Sequence, residues 1–342
     1  MPPREQLPLR LLLKRGAQLV AVNWPVVAVQ FVAEAALKIL LTIPVLGGTL
    51  LVALLLGGNA TELLKLGIRA ALSDIATALV AHPLALVFFL LAFLLALIGG
   101  SVFMFLIKGG TVMVLAAGDR VAGPMEQGPW RVESLRLASA FSPDLFIDGC
   151  SRLFKRYLTL GIGLMIAYVI SGALYLAIVI GSYQVASRSV LLLGWTLLAA
   201  VISSAFVVWI TVVNLLYLLT QIAVAVEDLS VRAALRRVAQ FLQADIREVG
   251  AVFGVVLLMV VLTTAASLLA TAGLSLVAFV PIVGFAVFPL QAAAWLLRSL
   301  VFEYVGLTAL CSYLRLYRTF VFVDRVGPQP FWSNEAGSIR TA

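Results

Sequence analysis

The chain has 342 residues, of which 63% are hydrophobic and only 12% are charged, and its net charge is +8. A soluble domain carries roughly 25% charged residues, so this composition excludes an ordinary soluble protein and predicts a helical membrane protein that crosses the bilayer several times. The positive charges lie in short segments between long apolar runs, which is the pattern of membrane topology, and we expect no nucleic-acid partner.

The first segment, residues 7–24, has the apolar spacing of an amphipathic helix with a basic face. It aligns without a gap with residues 229–246, so that Lys14 and Arg15 correspond to Arg236 and Arg237. This correspondence predicts an internal repeat. We expect such helices to lie on the membrane surface, with their basic residues among lipid phosphates, and we expect no cleaved signal peptide.

Residues 24–43 predict the first span, because about 20 apolar residues cross a hydrocarbon core of about 30 Å. Pro44 and the glycines after it predict a turn or a half-inserted segment on the far side, and Pro281 begins a similar stretch. Residues 59–80 predict an outer surface helix. Residues 83–117 predict the second span, in which Gly99 and Gly100 offer a small-residue surface for helix packing.

Residues 118–157 combine a polar loop with a second surface helix, for which Ser142 is the expected N-cap and Pro143 the first residue. Four more apolar segments predict spans three to six: residues 158–180, 190–226, 250–272 and 290–317. The fourth is too long for the bilayer and is expected to project from it. Residues 229–249 form the third surface helix, and a polar tail begins at residue 324.

The predicted fold is therefore an all-α polytopic membrane protein whose six transmembrane helices form three repeats of an amphipathic surface helix plus two spans. The repeat units are residues 1–117, 118–226 and 227–323, followed by the polar tail 324–342. Eighteen of the 24 lysines and arginines fall on one side of this topology and three on the other. By the positive-inside rule, both termini are expected in the cytoplasm.

This arrangement, including the short segment of residues 236–241 (RRVAQF), resembles a group of bacterial six-helix inner-membrane proteins of uncharacterised function. The group includes the membrane domain found ahead of the catalytic domain in some glycerophosphodiester phosphodiesterases. The resemblance covers most of the chain and implies a multi-pass protein of the bacterial cytoplasmic membrane. It transfers no catalytic residue, because the polar loops and the short tail leave no room for a phosphodiesterase domain.

A few polar residues lie inside the predicted spans and are the candidates for an intramembrane site: Glu34, Lys38, Asn214, Arg298 and Glu303. Glu34 and Lys38 are four residues apart and are expected to pair on one helix face. Asn214 and Gln221 are expected to share a face, and Arg298 and Glu303 to reach partners on other helices. These residues either line a polar cavity for a headgroup, ion or zwitterion, or form interhelical pairs that fix packing.

Three basic pairs, one in each surface helix, are the candidates for lipid-headgroup contact: Lys14 and Arg15, Lys155 and Arg156, and Arg236 and Arg237. On the cytoplasmic side each charge gains about 1 kcal/mol from anionic lipid. Their alternative role is purely topogenic, since basic residues retain loops in the cytoplasm.

The sequence predicts no catalytic residue, metal site or cofactor. His82 is the sole histidine and has no ligand cluster at metal spacing. Cys150 and Cys311 do not make a disulfide framework, and Cys150 has no nearby general base. Asp144 and Asp148 are one helical turn apart and are expected to form a solvated face rather than a cation site.

The leading functional hypothesis is a non-enzymatic scaffold, assembly or lipid-organising component of the membrane, whose partners are anionic lipids and other membrane protein subunits. The alternative is a small permease or lipid carrier, with a site formed by Glu34, Lys38, Arg298 and Glu303 beside broken helices at Pro44 and Pro281. A membrane enzyme ranks third, because no base or metal set accompanies the polar residues.

Overall fold

The computed structural model describes residues 8–55, 81–123, 125, 132–186, 192–278 and 281–326. Within these ranges the protein is all-helical and has no strand. The helices are α1 Leu9–Val22, α2 Trp24–Leu55, α3 Pro83–Val121, α4 Val132–Ala138, α5 Pro143–Ala186, α6 Leu192–Glu227, α7 Val231–Ala278 and α8 Pro281–Val326. The expected outer surface helix at residues 59–80, the loop around Arg188 and the tail beyond Val326 lie outside the described residues.

Six of these helices, α2, α3 and α5 to α8, contain segments long and apolar enough to cross a membrane. Large apolar side chains are exposed along them, such as Val169 (71% exposed) and Leu269 (74% exposed). Such exposure is unfavourable in water but natural in lipid, which is as apolar as the side chains. The chain is therefore a multi-pass helical membrane protein.

The chain divides into two compact units, one of residues 29–108 and the other of the remaining residues. In the larger unit, the core lies where α1 and the first turns of α5 and α7 pack with the last turns of α3, α6 and α8. Each of these six helices contributes fully buried side chains to this core, which we call the packed end: Leu19, Leu115, Leu153, Leu219, Phe241 and Leu314. The packed end thus lies beside the basic segments, whereas the opposite ends of the same helices expose their apolar surface.

The predicted break at Pro44 is absent, whereas the helix that precedes Pro281 ends at Ala278 and a new helix begins at Pro281. Helix α2 continues through Pro44 to Leu55, and α8 begins at Pro281 and continues through Pro289. A proline in the first helical turn loses no hydrogen bond, because its N–H would have no partner there. An interior proline such as Pro44 removes one bond, which transmembrane helices tolerate.

The first and third amphipathic segments are set off from their spans by a single non-helical residue. Asn23 separates α1 from α2 with φ −99° and ψ 40°, and Asp245 interrupts α7 with φ −128° and ψ 32°. By contrast, α5 runs from Pro143 to Ala186 as one helix, so the second predicted surface helix is continuous with its span. No proline, asparagine or aspartate lies near that junction to interrupt it.

The predicted start of α5 is confirmed. The backbone N–H of Leu145 donates to the Ser142 hydroxyl at 3.2 Å, which is the capping bond expected of a serine immediately before Pro143. Between Val121 and this cap lies α4, a short helix that the sequence analysis did not predict.

Helices α3 and α5 cross closely at glycines. A Cβ at Gly110 would lie 2.6 Å from the Phe146 carbonyl oxygen, and a Cβ at Gly149 would lie 2.6 Å from the Met113 Cβ. Contacts this short exist only because glycine has no side chain. In the smaller unit, Gly100 of the predicted small-residue surface packs against Leu37, whereas Gly99 faces open space.

The crossing predicts opposite effects for two glycine-to-alanine substitutions. Gly110→Ala should lower the free energy of unfolding by about 1–3 kcal/mol, because the backbones must move apart. The control Gly163→Ala, on α5 with nothing within 4 Å, should raise it by about 0.5 kcal/mol through its better helix propensity. Thermal unfolding in detergent compares the two, and equal midpoints would contradict the close crossing.

Candidate functional site

The most deeply buried charges of the packed end form a three-residue cluster at the end of α3. Arg15 of α1 donates from Nε to Asp119 Oδ1 at 3.0 Å, and Arg318 of α8 donates from Nη1 to Asp119 Oδ2 at 2.7 Å. The Asp119 side chain is 1% exposed and that of Arg15 is 3% exposed. A single carboxylate therefore joins three helices through what we call the Asp119 cluster.

The same two arginines also bind the last carbonyls of α3. Arg15 donates to the Ala122 oxygen at 3.2 Å and the Gly123 oxygen at 2.9 Å, and Arg318 donates to the Ala116 oxygen at 2.6 Å. The Ala122 and Gly123 carbonyls follow the end of α3, where partial negative charge favours a cation, and the Ala116 carbonyl lies about one turn before that end. The Asp119 cluster thus caps α3 as well as linking it to α1 and α8.

Asn23 forms a second buried polar junction, between α1, α2 and the end of α4. Its Nδ2 donates to the carbonyl oxygens of Leu19 and Ala138, both at 2.9 Å, and its Oδ1 accepts from the Ala140 N–H at 3.0 Å. The side chain is fully buried. These three bonds use most of the hydrogen-bonding capacity of the amide, which gives Asn23 a structural role.

The turn from α6 to α7 carries two further acids, each bound by an arginine. Glu227 accepts from Arg237 Nε at 3.4 Å and from the Tyr317 hydroxyl. Asp228 adopts a positive φ of 56°, which aspartate tolerates, and pairs with Arg152 and Arg156 of α5. The hydrogen bond from Arg156 holds the pKa of Asp228 below its usual value.

The six candidates for lipid-headgroup contact fall into two groups. The second member of each pair contacts an acid within the protein: Arg15 contacts Asp119, Arg156 contacts Asp228, and Arg237 contacts Glu227. Of the first members, Lys155 and Arg236 are exposed and Lys14 is half-buried. Arg15 in particular differs from the expectation of headgroup contact, because its guanidinium is enclosed by α3 and α8.

Among the intramembrane candidates, Glu34 and Lys38 form the expected i, i+4 pair at 2.6 Å. Their side chains are 31% and 42% exposed, so this ion pair lies on the side of α2 rather than deep in a core. The Arg298 guanidinium lies 5.5 Å from the centre of the Phe302 ring, and both residues belong to α8. Glu303 is half-buried. Both Arg298 and Glu303 belong to the larger unit, and Glu34 and Lys38 to the smaller.

Asn214 belongs to a ladder of hydrogen bonds between α5 and α6. The Tyr168 hydroxyl donates to Asn214 Oδ1, Trp209 Nε1 donates to Ser171 Oγ at 3.0 Å, and Trp195 Nε1 donates to Ser182 Oγ at 3.1 Å. Tyr175 and Ser203 add a contact of 2.9 Å. The ladder gives Asn214 a packing role. Asn214 and Gln221 lie two turns apart on α6, which runs unbroken through both, but Asn214 is exposed whereas Gln221 is buried in the packed end.

The described residues contain no group of three or more histidine, cysteine, aspartate and glutamate side chains that could hold a metal ion. His82 is exposed, and Cys150 and Cys311 are buried free thiols. Sequence reasoning missed Asp119, Arg318 and Asn23, which lie at helix ends where no periodicity singles them out.

The chain was compared with protein families, curated proteins and solved structures. No family model, no curated protein and no solved structure matches it.

Proposed function

We propose that this protein is a non-enzymatic scaffold or lipid-organising component of the bacterial inner membrane that engages anionic lipids. The observation that carries the proposal is the division within the basic pairs: one member of each binds an acid of the protein, while Lys155 and Arg236 remain exposed. Arg15, Arg156 and Arg237, which we call the inner members, bind acids of the protein itself. Lys155 and Arg236, which we call the outer members, are exposed on the surface of the protein.

The surroundings of the outer members suit a lipid headgroup region. Ile147 is 64% exposed on the face of α5 that carries Lys155, and Leu235, next to Arg236, is 48% exposed. Apolar side chains beside lysine and arginine favour the boundary between headgroups and acyl chains, where both parts find a suitable partner. Anionic lipid adds about 1 kcal/mol for each basic residue near the surface.

The repeat organisation is part of this proposal. The alignment that pairs Lys14 with Arg236 also pairs Asn23 with Asp245, the two residues that separate an amphipathic segment from its span. Leu19 corresponds in the same way to Phe241, and both are fully buried. These correspondences support two copies of one unit, and the 18 to 3 split of basic residues supports cytoplasmic termini.

The alternative, a small permease or lipid carrier, has less support. It relied on a helix broken at Pro44, but α2 continues through this residue. It also relied on Glu34 and Lys38 as ligands, whereas these two side chains pair with each other on one helix.

The proposal predicts that Lys155→Gln/Arg236→Gln weakens the preference for phosphatidylglycerol over phosphatidylcholine by up to about 2 kcal/mol, or roughly 30-fold. Native mass spectrometry of protein released from mixed-lipid nanodiscs measures this preference. The melting temperature should stay close to that of the wild type, because both residues are exposed.

The matched control is Arg156→Gln/Arg237→Gln, which removes the same charge from neighbouring positions. This variant should lose stability, because Glu227 loses its ion pair with Arg237 and Asp228 keeps only Arg152, and it should keep more of the lipid preference. If both double variants lose the lipid preference equally, net charge alone explains the effect and the assignment to the outer members fails.

A further inference from the structure

An excess of positive charge surrounds the Asp119 cluster. Arg120 follows Asp119 on α3, and Arg315 precedes Arg318 by three residues on α8, which places it on the same helix face. Both lie near enough to Arg318 for their charges to act on it. Arg15 and Arg318 contact the Asp119 carboxylate, and Arg120 and Arg315 add two further positive charges near Arg318.

The contacts of these four arginines are unequal. Arg15 and Arg318 have Asp119 and the last carbonyls of α3 as acceptors. The Nε of Arg315 is buried and has no hydrogen-bond partner within the described part of the chain, and the Arg120 side chain is exposed. A buried charged donor without an acceptor is unfavourable, so an anionic acceptor that reached Arg315 would stabilise this group of arginines.

We propose that Arg120, Arg315 and Arg318 bind a phosphate group. A guanidinium presents up to five N–H donors in a planar fork that matches phosphate oxygens, and Arg318 uses only part of this set on Asp119 and Ala116. A phosphate monoester supplies two negative charges and several acceptors at once. It would neutralise the excess charge and provide the acceptor that Arg315 Nε lacks.

The position suits a phosphate at the membrane boundary. Arg120 and Arg318 lie within the last few residues of the apolar segments that end at Val121 and Phe322. A lipid headgroup and a free phosphate compound would present the same chemistry there. This inference uses different residues from the lipid contacts of Lys155 and Arg236, so either proposal can fail without the other.

The variant Arg120→Gln/Arg315→Gln tests the site while leaving the Asp119 cluster intact. Its control, Arg232→Gln/Arg247→Gln, removes two exposed arginines from α7. The first probe is phosphatidic acid in phosphatidylcholine nanodiscs, and the second is inorganic phosphate added to protein in a neutral detergent. We expect affinity for at least one probe to fall about tenfold or more in the site variant and to change little in the control.

Binding of inorganic phosphate in detergent would identify a free phosphate compound as the source, and binding of phosphatidic acid alone would identify a headgroup. Either result supports the site if the loss is confined to Arg120→Gln/Arg315→Gln. Equal binding by the two double variants would overturn it. If the site variant does not fold, the wild type alone can be measured. A ligand that binds the native state raises its melting temperature. The proposal is therefore overturned if the melting temperature of the wild type rises with neither probe.

Discussion

Asp119→Asn is expected to lower the free energy of unfolding by about 3–5 kcal/mol, the largest effect of any single substitution proposed for this protein. The carboxylate accepts from Arg15 and Arg318, and an amide would leave two guanidinium groups in the packed end without a counter-charge. Since a domain is stable by only about 5–15 kcal/mol, much of the variant should be misfolded or lost on extraction.

Thermal unfolding and size-exclusion profiles in detergent measure this effect. Asp148→Asn is the matched control, because Asp148 is exposed on α5 and its neutralisation should change stability by less than about 0.5 kcal/mol. The role assigned to the Asp119 cluster would be wrong if the two variants unfolded at the same temperature.

Asn23→Leu should have the second largest effect, on the order of 3 kcal/mol. The substitution keeps the branched shape of the side chain but removes the bonds to the Leu19 and Ala138 oxygens and to the Ala140 N–H. Each buried polar group that loses its partner costs about 1–3 kcal/mol, and these groups are enclosed where α1, α2 and α4 meet.

The control for Asn23→Leu is Asn214→Leu, because Asn214 is exposed and bonds to Tyr168 across α5 and α6. Hydrogen bonds between transmembrane helices contribute only about 0.6 kcal/mol on average, so this variant should unfold close to the wild type. A larger loss for Asn214→Leu than for Asn23→Leu would reverse the structural roles given to the two residues.

The helical fold was predictable because its signals are local. Apolar runs of the required length marked the six spans, and Ser142 followed by Pro143 marked the start of α5, as its capping bond confirms. The pairing of Glu34 with Lys38 was predictable for the same reason, since residues four apart on a helix share a face.

The Asp119 cluster was not predictable, because its contacts join residues far apart in the chain. Arg15 lies 104 positions from Asp119, and Arg318 lies 199 positions from it. No periodicity distinguishes Arg15 from Lys14 before the packing of α1 against α8 is known. The error at Pro44 has a different cause: a single proline removes only one hydrogen bond, which a transmembrane helix tolerates without ending.

The central claim is that the exposed basic residues bind anionic lipid, whereas the polar residues of the spans have structural roles and bind no ligand. Native mass spectrometry of the protein gently solubilised from its own membrane tests this most directly, in the wild type and in Glu34→Gln/Arg298→Gln. We predict that anionic lipid or protein subunits bind equally to both forms. A specific small molecule or lipid that is bound by the wild type and lost in the variant would contradict the claim and establish a carrier.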